Sequence, residues 1–386
     1  MEPLLLGAAT PRREELSDKA VDLAALAAGF RRSLPPEVAT ALSHLVRSMN
    51  CYYSNLIEGH NTHPVEIERA MREDFSADPT TRNLQVEARA HVSVQEWIDG
   101  GALRGRAVTA AAQQEIHRRF CERLPEDLLV VTNPETGRAV RVQPGVLRRD
   151  DVRVGNHFAV SPGAVPRFLA RFEEIYGRLG RAETILAAAA AHHRLLWIHP
   201  FVDGNGRVAR LMSHAVLLDA LDTGGLWSVA RGLARSVAVY KGHLMACDQA
   251  RRDDLDGRGN LSEQALSAFT AFFLDTCSDQ VRFMEELVQP DRLRTRVRLW
   301  AEEETRLRRL PAKAGHILEA VLYRGEVPRG DAADIVGTGH RQARRVVSAL
   351  IDRGVLMSES SRAPLRIAFP ATLAARWMPG LFPEQG

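Results

Sequence analysis

The sequence predicts a mainly α-helical protein, and two neighbouring stretches carry that prediction. Residues 182–198 are apolar on nearly every side of a helix, which is typical of a buried central helix. After residue 205 the apolar side chains recur with a helical period, at i, i+3, i+4, i+7 and i+8: Val208, Leu211, Met212, Ala215 and Val216. Strand-like alternation is confined to short segments. We therefore expect a helical bundle with small β-hairpins.

The composition limits the class of protein before any motif is considered. A chain of 386 residues usually forms more than one domain, and a hydrophobic content of 45% suits a globular core. The net charge of +3 is too small to indicate nucleic-acid binding by the whole molecule. The four cysteines lie far apart without a C-x-x-C pair, which predicts reduced thiols and a cytoplasmic location. No run reaches the ~18 apolar residues of a membrane span, so we expect no membrane association.

Residues 1–110 are expected to form an N-terminal helical region. The Ala- and Leu-rich stretch 16–31 predicts one helix, and the prolines at 35–36 mark the start of a second that continues toward Tyr53. Thr62 is the predicted N-cap of a further helix that starts at Pro64.

Within this region, Ser54 and Glu58 are four residues apart, so they project from one side of a helix. Gly59 suits the left-handed conformation that ends many helices. Taken alone, the pattern indicates no more than a solvated glutamate near a helix end.

Residues 111–290 are expected to form the central domain, which includes two hairpins. Residues 128–132 and 138–142 alternate around a turn at 133–137. The stretch 152–160 has the alternation and turn residues of a second hairpin. The second hairpin could be an ordinary surface feature, or its edge could bind another chain by main-chain pairing.

The stretch from His199 to Arg210 brings the polar chemistry of the chain together. The turn at 203–206 leads into a helix N-terminus, where unpaired N–H groups and the positive end of the helix dipole favour an anion. Arg207 lies three residues before Arg210, so both side chains share a helix face and can bind the same anion. The spacing predicts an anion site beside a histidine, and a polyphosphate fits it better than a single carboxylate.

This stretch resembles the Fic family motif H-x-F-x-[D/E]-G-N-G-R-x-x-R, and each specified position matches: His199, Phe201, Asp203, Gly204, Asn205, Gly206, Arg207 and Arg210. Eight specified positions are far more selective than a lone glycine motif. The resemblance implies a Fic-fold helical bundle with a β-hairpin flap at 152–160 that clamps the backbone of a target. It also implies a protein adenylyltransferase, which transfers AMP from ATP to a Ser, Thr or Tyr hydroxyl of a protein.

The resemblance also implies a role for each polar group. These expected roles are His199 as general base, Asp203 as the Mg²⁺ ligand, the backbone amides of Gly204, Asn205 and Gly206 as phosphate-binding donors, and Arg207 and Arg210 as phosphate-binding cations. ATP is then the expected substrate and Mg²⁺ the expected cofactor. The family also carries a G-x-x-R element before its flap, which residues 145–148 match.

The segment from Ser54 to Gly59 resembles the inhibitory motif of the same family, [S/T]-x-x-x-E-[G/N]. By that resemblance Glu58 pairs with Arg210 and occupies the space of the ATP γ-phosphate. At ~4 Å and an effective dielectric constant of ~20, such a pair contributes up to ~4 kcal/mol before desolvation is deducted, which allows a tens- to hundredfold switch. Relatives with this glutamate can also remove AMP, so both directions stay open.

The C-terminal part is expected to be a separate module. Residues 291–311 form a charged helical connector, 312–370 a winged helix-turn-helix domain, and 371–386 a tail. A short helix at 331–336, a Gly-rich turn and a helix at 340–352 with three arginines predict the helix-turn-helix: Arg341, Arg344 and Arg345. DNA binding is one interpretation, and protein contact or a solvated basic face is the other.

Two further interpretations stay open at this point. One is a Fic enzyme that transfers another nucleotide or a phosphoryl group, since an anion site does not read the base. The other is a DNA-binding transcriptional regulator whose Fic domain senses nucleotide. A protein substrate with an acceptor hydroxyl is the expected partner, and the resemblance also implies self-modification and a homodimer.

Overall fold

The computed structural model describes residues 1–132 and 137–383, and most of them are helical. The helices up to residue 287 are α1 (Arg13–Arg32), α2 (Pro36–Ile57), α3 (Pro64–Met71), α4 (Pro79–Asp99), α5 (Ala110–Cys121), α6 (Val165–Tyr176), α7 (Arg181–Ile198), α8 (Asn205–Leu221), α9 (Val229–Arg235), α10 (Val237–Cys247) and α11 (Glu263–Leu287). The later ones are α12 (Pro290–Arg306), α13 (Ala314–Arg324), α14 (Ala332–Val336), α15 (His340–Asp352) and α16 (Ala374–Trp377). The prediction of a mainly α fold is confirmed.

The strands are short and antiparallel. They are β1 (Val130–Thr132), β2 (Ala139–Arg141), β3 (Arg153–Val154), β4 (His157–Phe158), β5 (Glu326–Val327), β6 (Leu356–Met357) and β7 (Leu365–Ile367). β1 pairs with β2, β3 pairs with β4, and β7 lies between β5 and β6. The hairpins predicted around 128–142 and 152–160 are therefore confirmed as strand pairs. Of the predicted turn at 133–137, residues 133–136 lie outside the described part of the chain.

The chain divides into two compact units. The first contains residues 1–28, 50–223 and 228–280, and the second contains residues 29–49, 224–227 and the chain from 281 onward. None of the helices in residues 1–132 and 137–383 has the length and apolar character needed to cross a bilayer.

The α7 helix is the centre of the first unit. It packs along α8 and against α6, while α4 and α5 pack against α8. Its run of alanines at 187–191 is buried. Because these side chains are small, the neighbouring helices can approach α7 closely. The carboxyl end of α7 and the amino end of α8 consequently meet at one end of the bundle, joined by the loop that contains the polar motif.

The N-cap of α3 differs from the prediction. His63 caps the helix, and its Nδ1 accepts a hydrogen bond from the Val65 N–H at 3.3 Å. Thr62, the predicted cap, is buried, and its hydroxyl has no hydrogen-bond partner among the described residues. Because Pro64 is the first helical residue, the capping position belongs to the residue directly before it.

The two helices predicted at 331–336 and 340–352 are present in the second unit as α14 and α15. Within residues 312–370 the chain order is α13, β5, α14, α15, β6 and β7, and Gly337 ends α14 in a left-handed conformation with φ 60°. Trp300 of α12 packs edge-on against Trp377 of α16 with ring centroids 5.2 Å apart. The winged-helix assignment of these elements stays a prediction.

Candidate active site

The loop between α7 and α8 is held in shape by its own side chains. His199 ends α7 in the left-handed region at φ 51° and ψ 64°, and its N–H donates to the Leu195 carbonyl at 3.0 Å. The Asn205 carboxamide accepts from the Phe201 N–H and donates to the Phe201 carbonyl, each at 2.9 Å. Gly204 has φ 79°, a conformation that glycine adopts without strain. The loop therefore presents the first N–H groups of α8 in a fixed orientation.

Arg148, which lies outside this loop in the sequence, also holds the loop backbone in place. Its guanidinium is buried and donates to the carbonyl oxygens of His199 at 2.7 Å, Asp150 at 3.0 Å and Val160. Its backbone N–H donates to the Pro200 carbonyl at 2.9 Å. Burial lowers the pKa of Arg148 from its ordinary value. The carbonyl groups around His199 are thus fixed by one buried cation.

His199 is prepared to accept a proton. Its Nδ1 lies 3.3 Å from the Leu196 carbonyl oxygen, which can only accept, so Nδ1 carries the hydrogen and Nε2 carries the lone pair. Burial lowers the pKa of His199 to about 4, and the nearby Arg148 acts in the same direction. The imidazole is therefore neutral at physiological pH.

His117 of α5 packs against this loop and hydrogen-bonds to its backbone. Its ring stacks on Phe201 with centroids 4.0 Å apart, and its Nε2 donates to the Asp203 carbonyl at 3.2 Å. Its Nδ1 accepts from the Gly145 N–H at 2.8 Å. Burial lowers the pKa of His117 to about 4, which keeps the ring neutral, so its Nδ1 can accept the Gly145 hydrogen bond.

Arg207 lies in the first turn of α8 and is almost fully buried. It forms an ion pair with Glu87 of α4, lies over the Phe120 ring at 4.8 Å, and approaches the Asp203 carboxylate at 3.4 Å. Burial lowers the pKa of Arg207 to about 10, so the side chain stays charged at neutral pH. The Asp203 side chain is 50% exposed, and its partial burial raises its pKa from the ordinary value.

Arg210, one turn further along α8, is held by the end of α2. Its Nε donates to the Ser54 hydroxyl at 2.8 Å, and its Nη2 donates to the Ser54 carbonyl at 3.2 Å and forms an ion pair with Glu58. Burial opposes ionisation of Glu58, but Arg210 outweighs that effect and lowers the pKa of Glu58 below its ordinary value. The pairing expected between Glu58 and Arg210 is present.

Gly206 shows how close Glu58 comes to the amino end of α8. A Cβ atom added to Gly206 would overlap the Glu58 Oε1 atom and lie 3.1 Å from the Arg210 Nη1 atom. The Glu58 carboxylate therefore lies directly over the backbone of the first helical turn. An anion is favoured at that position by the helix dipole and the unpaired N–H groups.

The turn after α2 places Glu58 at this position. The Gly59 N–H donates to the Leu56 carbonyl at 3.1 Å, and the His60 N–H donates to the Asn55 carbonyl at 2.9 Å. Gly59 has φ 90°, so these two bonds form a Schellman motif. The predicted helix end at Gly59 is confirmed, because α2 stops at Ile57 directly before this turn.

The β3–β4 hairpin is attached to the carboxyl end of α7. The His157 Nε2 donates to the Trp197 carbonyl at 2.8 Å, and the two rings pack with centroids 5.5 Å apart. The side chains of Val154 and Phe158 are exposed. The hairpin is therefore bound to α7 at Trp197, two residues before His199.

The predicted site residues lie together at one end of the first unit. Three residues that contact them, Glu87, His117 and Arg148, were not assigned a role from the sequence. The only sequence signal for Arg148 was the short G-x-x-R match, and the two others are single polar residues in amphipathic helices. Among the described residues, no three His, Cys, Asp or Glu side chains are grouped as a metal site. A single carboxylate that acts together with phosphate oxygens is nevertheless a donor set that suits Mg²⁺, and the half-exposed Asp203 fits it.

Comparisons with known proteins relate the central part of the chain to one family. Residues 107–217 match the model of the Fic/DOC family. The protein adenylyltransferase Fic of Drosophila sechellia is 35% identical over 171 residues, which cover 44% of this chain and 32% of the relative. That of Culex quinquefasciatus is 38% identical over 100 residues, which cover 25% of this chain and 19% of the relative. The matches thus span about a third or less of the length of these relatives.

Two solved structures share the fold. A Fic family protein from Desulfovibrio desulfuricans superposes with a TM-score of 0.54 at 16% identity, over 94% of this chain and 98% of the other. A Fic domain-containing signalling protein from Bacteroides thetaiotaomicron gives a TM-score of 0.51 at 18% identity, over 69% of this chain and 96% of the other. This chain therefore carries a Fic domain and has the fold of Fic family proteins.

Proposed function

We propose that this protein is an adenylyltransferase that transfers AMP from ATP to a protein hydroxyl, and that Glu58 inhibits it. One observation carries the proposal. The Glu58 carboxylate lies over Gly206 at the amino end of α8 and is bonded to Arg210, at the point where this helix end would hold a phosphate. A carboxylate at an anion site prevents a phosphate from binding there.

The phosphates of ATP have a defined set of partners in this proposal. The N–H groups of Gly204, Asn205 and Gly206 point from the amino end of α8, and glycine permits close approach of the phosphate. Arg207 and Arg210 supply positive charge, and Arg210 is shared between the terminal phosphate and Glu58. These groups stabilise the negative charge that develops in the transition state.

The transfer step requires a base beside the acceptor hydroxyl. The His199 Nε2 takes the hydroxyl proton while the hydroxyl oxygen forms a bond to the α-phosphorus. The bond between that phosphorus and the β-phosphate oxygen breaks, and pyrophosphate leaves. The neutral state of His199 and the bond from its Nδ1 to Leu196 support this role. A general base of this kind typically contributes ~10²–10⁴-fold.

Asp203 is the residue that would hold Mg²⁺ together with phosphate oxygens. Bound there, the ion would neutralise charge on the phosphates during the transfer. The Asp203 carboxylate suits this position because it is half exposed and its contact with Arg207 is long, at 3.4 Å.

The experiment that tests the proposal uses ATP labelled on the α-phosphate. With Mg²⁺, the Glu58→Gly chain should label itself or a protein in a lysate, and the Glu58→Gly/His199→Ala chain should lose that label by ~10²–10⁴-fold. Label from the γ-phosphate would indicate phosphoryl transfer, and preference for another nucleotide would indicate a different Fic-type transfer. Absence of label from every nucleotide in the Glu58→Gly chain would contradict the proposal.

A second candidate function, DNA binding, rests on residues 312–370. The arginines of α15 that the sequence singled out, Arg341, Arg344 and Arg345, are exposed. They follow the tight turn at Gly337, which is the arrangement of a recognition helix after a helix-turn. Exposed arginines on one helix can contact phosphates and base edges in DNA.

The test of this second candidate is a charge reversal in the full chain. Arg344→Glu/Arg345→Glu should abolish salt-dependent binding to duplex DNA, while Arg294→Glu/Arg298→Glu on α12 should leave it largely unchanged. Binding that survives the α15 reversal would contradict DNA recognition by this helix. His199→Ala should not affect DNA binding in either case.

A further inference from the structure

Glu87 joins two parts of the site through one carboxylate. Its Oε1 atom accepts from the Arg207 guanidinium in the first turn of α8. Its Oε2 atom accepts from the Nδ1–H of His60 at 2.8 Å. His60 is the last residue of the Schellman turn that carries Glu58, and this segment, residues 58–60, is called the 58–60 turn below.

Arg207 keeps donors available beyond this ion pair. Its Nη1 is held by Glu87, its Nη2 makes only the 3.4 Å contact with Asp203, and its buried Nε has no hydrogen-bond partner among the described residues. A guanidinium has five N–H donors, so Arg207 can bind a phosphate while it remains paired with Glu87. Glu87 therefore fits the role of holding Arg207 in place rather than that of blocking it.

We propose that Glu87 is a positioning residue that keeps Arg207 directed at the phosphate site and, through His60, holds the 58–60 turn at the amino end of α8. This proposal rests on the function proposed above. The turn is then attached at two points. Glu58 binds Arg210 directly, and His60 binds Arg207 through Glu87. A triphosphate has to displace only the first attachment, because the second does not cover Gly206.

The two attachments predict a specific pattern of ATP affinities in the full chain. In the otherwise wild-type chain, His60→Ala should tighten ATP·Mg²⁺ binding by about threefold to tenfold, because the turn loses one charge-assisted hydrogen bond. In the Glu58→Gly chain the same change should alter the affinity by less than about twofold, because no carboxylate is left to displace. His316→Ala, on an exposed histidine of α13, is the matched control.

Glu87 is tested in the Glu58→Gly chain, where the direct block is gone. Glu87→Gln should weaken ATP·Mg²⁺ binding by about tenfold, since the amide no longer holds Arg207 by charge. Glu87→Asp keeps the charge and should recover part of the loss. Glu73→Gln, in an exposed pair with Arg89, should leave the affinity unchanged.

A second measurement is independent of nucleotide binding. In the ATP-free chain, His60→Ala and Glu87→Gln should both speed amide hydrogen exchange in residues 54–63. The Glu73→Gln control should not change exchange in that segment. A general structural role of Glu87 would instead speed exchange throughout the first unit, well beyond residues 54–63 and α8, which would overturn the proposal.

Three results would contradict the proposal. The first is that Glu58→Gly/Glu87→Gln binds ATP as tightly as Glu58→Gly alone. The second is that His60→Ala changes the ATP affinity equally in the wild-type and Glu58→Gly chains. The third is unchanged amide hydrogen exchange in residues 54–63. Failure of Glu58→Gly to bind or transfer any nucleotide would refute the proposed function instead. The exchange measurement would still decide whether Glu87 holds the 58–60 turn.

Discussion

Arg207 and Arg210 lie about one turn apart on the same helix, yet their acidic partners hold them in different ways. Glu87 comes from the middle of α4, and its side chain is 6% exposed. Glu58 comes from the turn after α2, and its side chain is 33% exposed. Separation of Arg207 from Glu87 would leave two uncompensated charges in the interior, whereas Glu58 can move into water and leaves only the Arg210 charge, which a phosphate can then compensate.

This difference divides the proposed phosphate site into a fixed part and an exchangeable part. The fixed part contains Arg207, the loop clamped by Asn205, and the carbonyl groups held by Arg148. The exchangeable part is the 58–60 turn with its carboxylate on Arg210. We infer that the site keeps its geometry while one acid is exchanged for a phosphate, so inhibition requires no rearrangement of α8.

The largest effect is expected from removing the buried acid. Glu87→Ala leaves Arg207 buried without its ion pair, which should cost about 3–5 kcal/mol of local stability. Glu58→Ala should cost less, because Arg210 keeps its two hydrogen bonds to Ser54 and water can enter the space that the partly exposed carboxylate leaves. Native-state hydrogen exchange of the α8 amides measures both costs. Equal costs for the two variants would show that the two halves of the site do not differ.

The loop anchor of the fixed part should affect chemistry more than binding. Arg148→Ala in the Glu58→Gly chain removes the cation that holds the His199 carbonyl, so we expect transfer to slow by about 10–100-fold because the base is misplaced. Arg149→Ala changes the exposed neighbour and serves as the control. If the ATP affinity of Arg148→Ala fell by the same factor as its transfer rate, Arg148 would not act only by positioning the base.

The exchangeable part should respond to charge alone. Glu58→Gln keeps the shape of the side chain but weakens its hold on Arg210, so ATP·Mg²⁺ should bind about threefold to tenfold more tightly than to the wild-type chain. Calorimetric titration measures the change. An unchanged or weaker affinity would indicate that the Glu58 charge does not compete with phosphate.

The smallest effect is expected from pH. Burial lowers the pKa of His199 to about 4, and a general base works only when it is unprotonated. The kcat/KM of the Glu58→Gly chain should therefore change by less than about twofold between pH 8 and pH 5.5, and fall only as the pH approaches 4. A fall centred near ~6.5, the ordinary value for histidine, would contradict a buried base.

The motif residues and the residues that support them differ in how far the sequence could predict them. The contiguous run from His199 to Arg210 and the four-residue spacing of Ser54 and Glu58 are local patterns, so they could be recognised without a structure. Local spacing sufficed because each group acts from the end of one helix.

The supporting residues could not be found in the same way. Glu87 meets Arg207 across 120 positions of sequence, and His117 meets the Asp203 carbonyl across 86. Neither contact leaves a trace in hydrophobic periodicity, because it depends on how α4 and α5 pack against α8. The misassigned cap at Thr62 has a local cause, since Pro64 sets the first helical position and so the cap belongs to His63.

The most direct test of the central claim is a crystal structure of the Glu58→Gly chain with ATP and Mg²⁺. We expect the terminal phosphate to lie over Gly206 within hydrogen-bond distance of the Arg210 guanidinium, where the Glu58 carboxylate lies in the unliganded chain. A nucleotide bound elsewhere, or an Arg210 that contacts no phosphate, would contradict it.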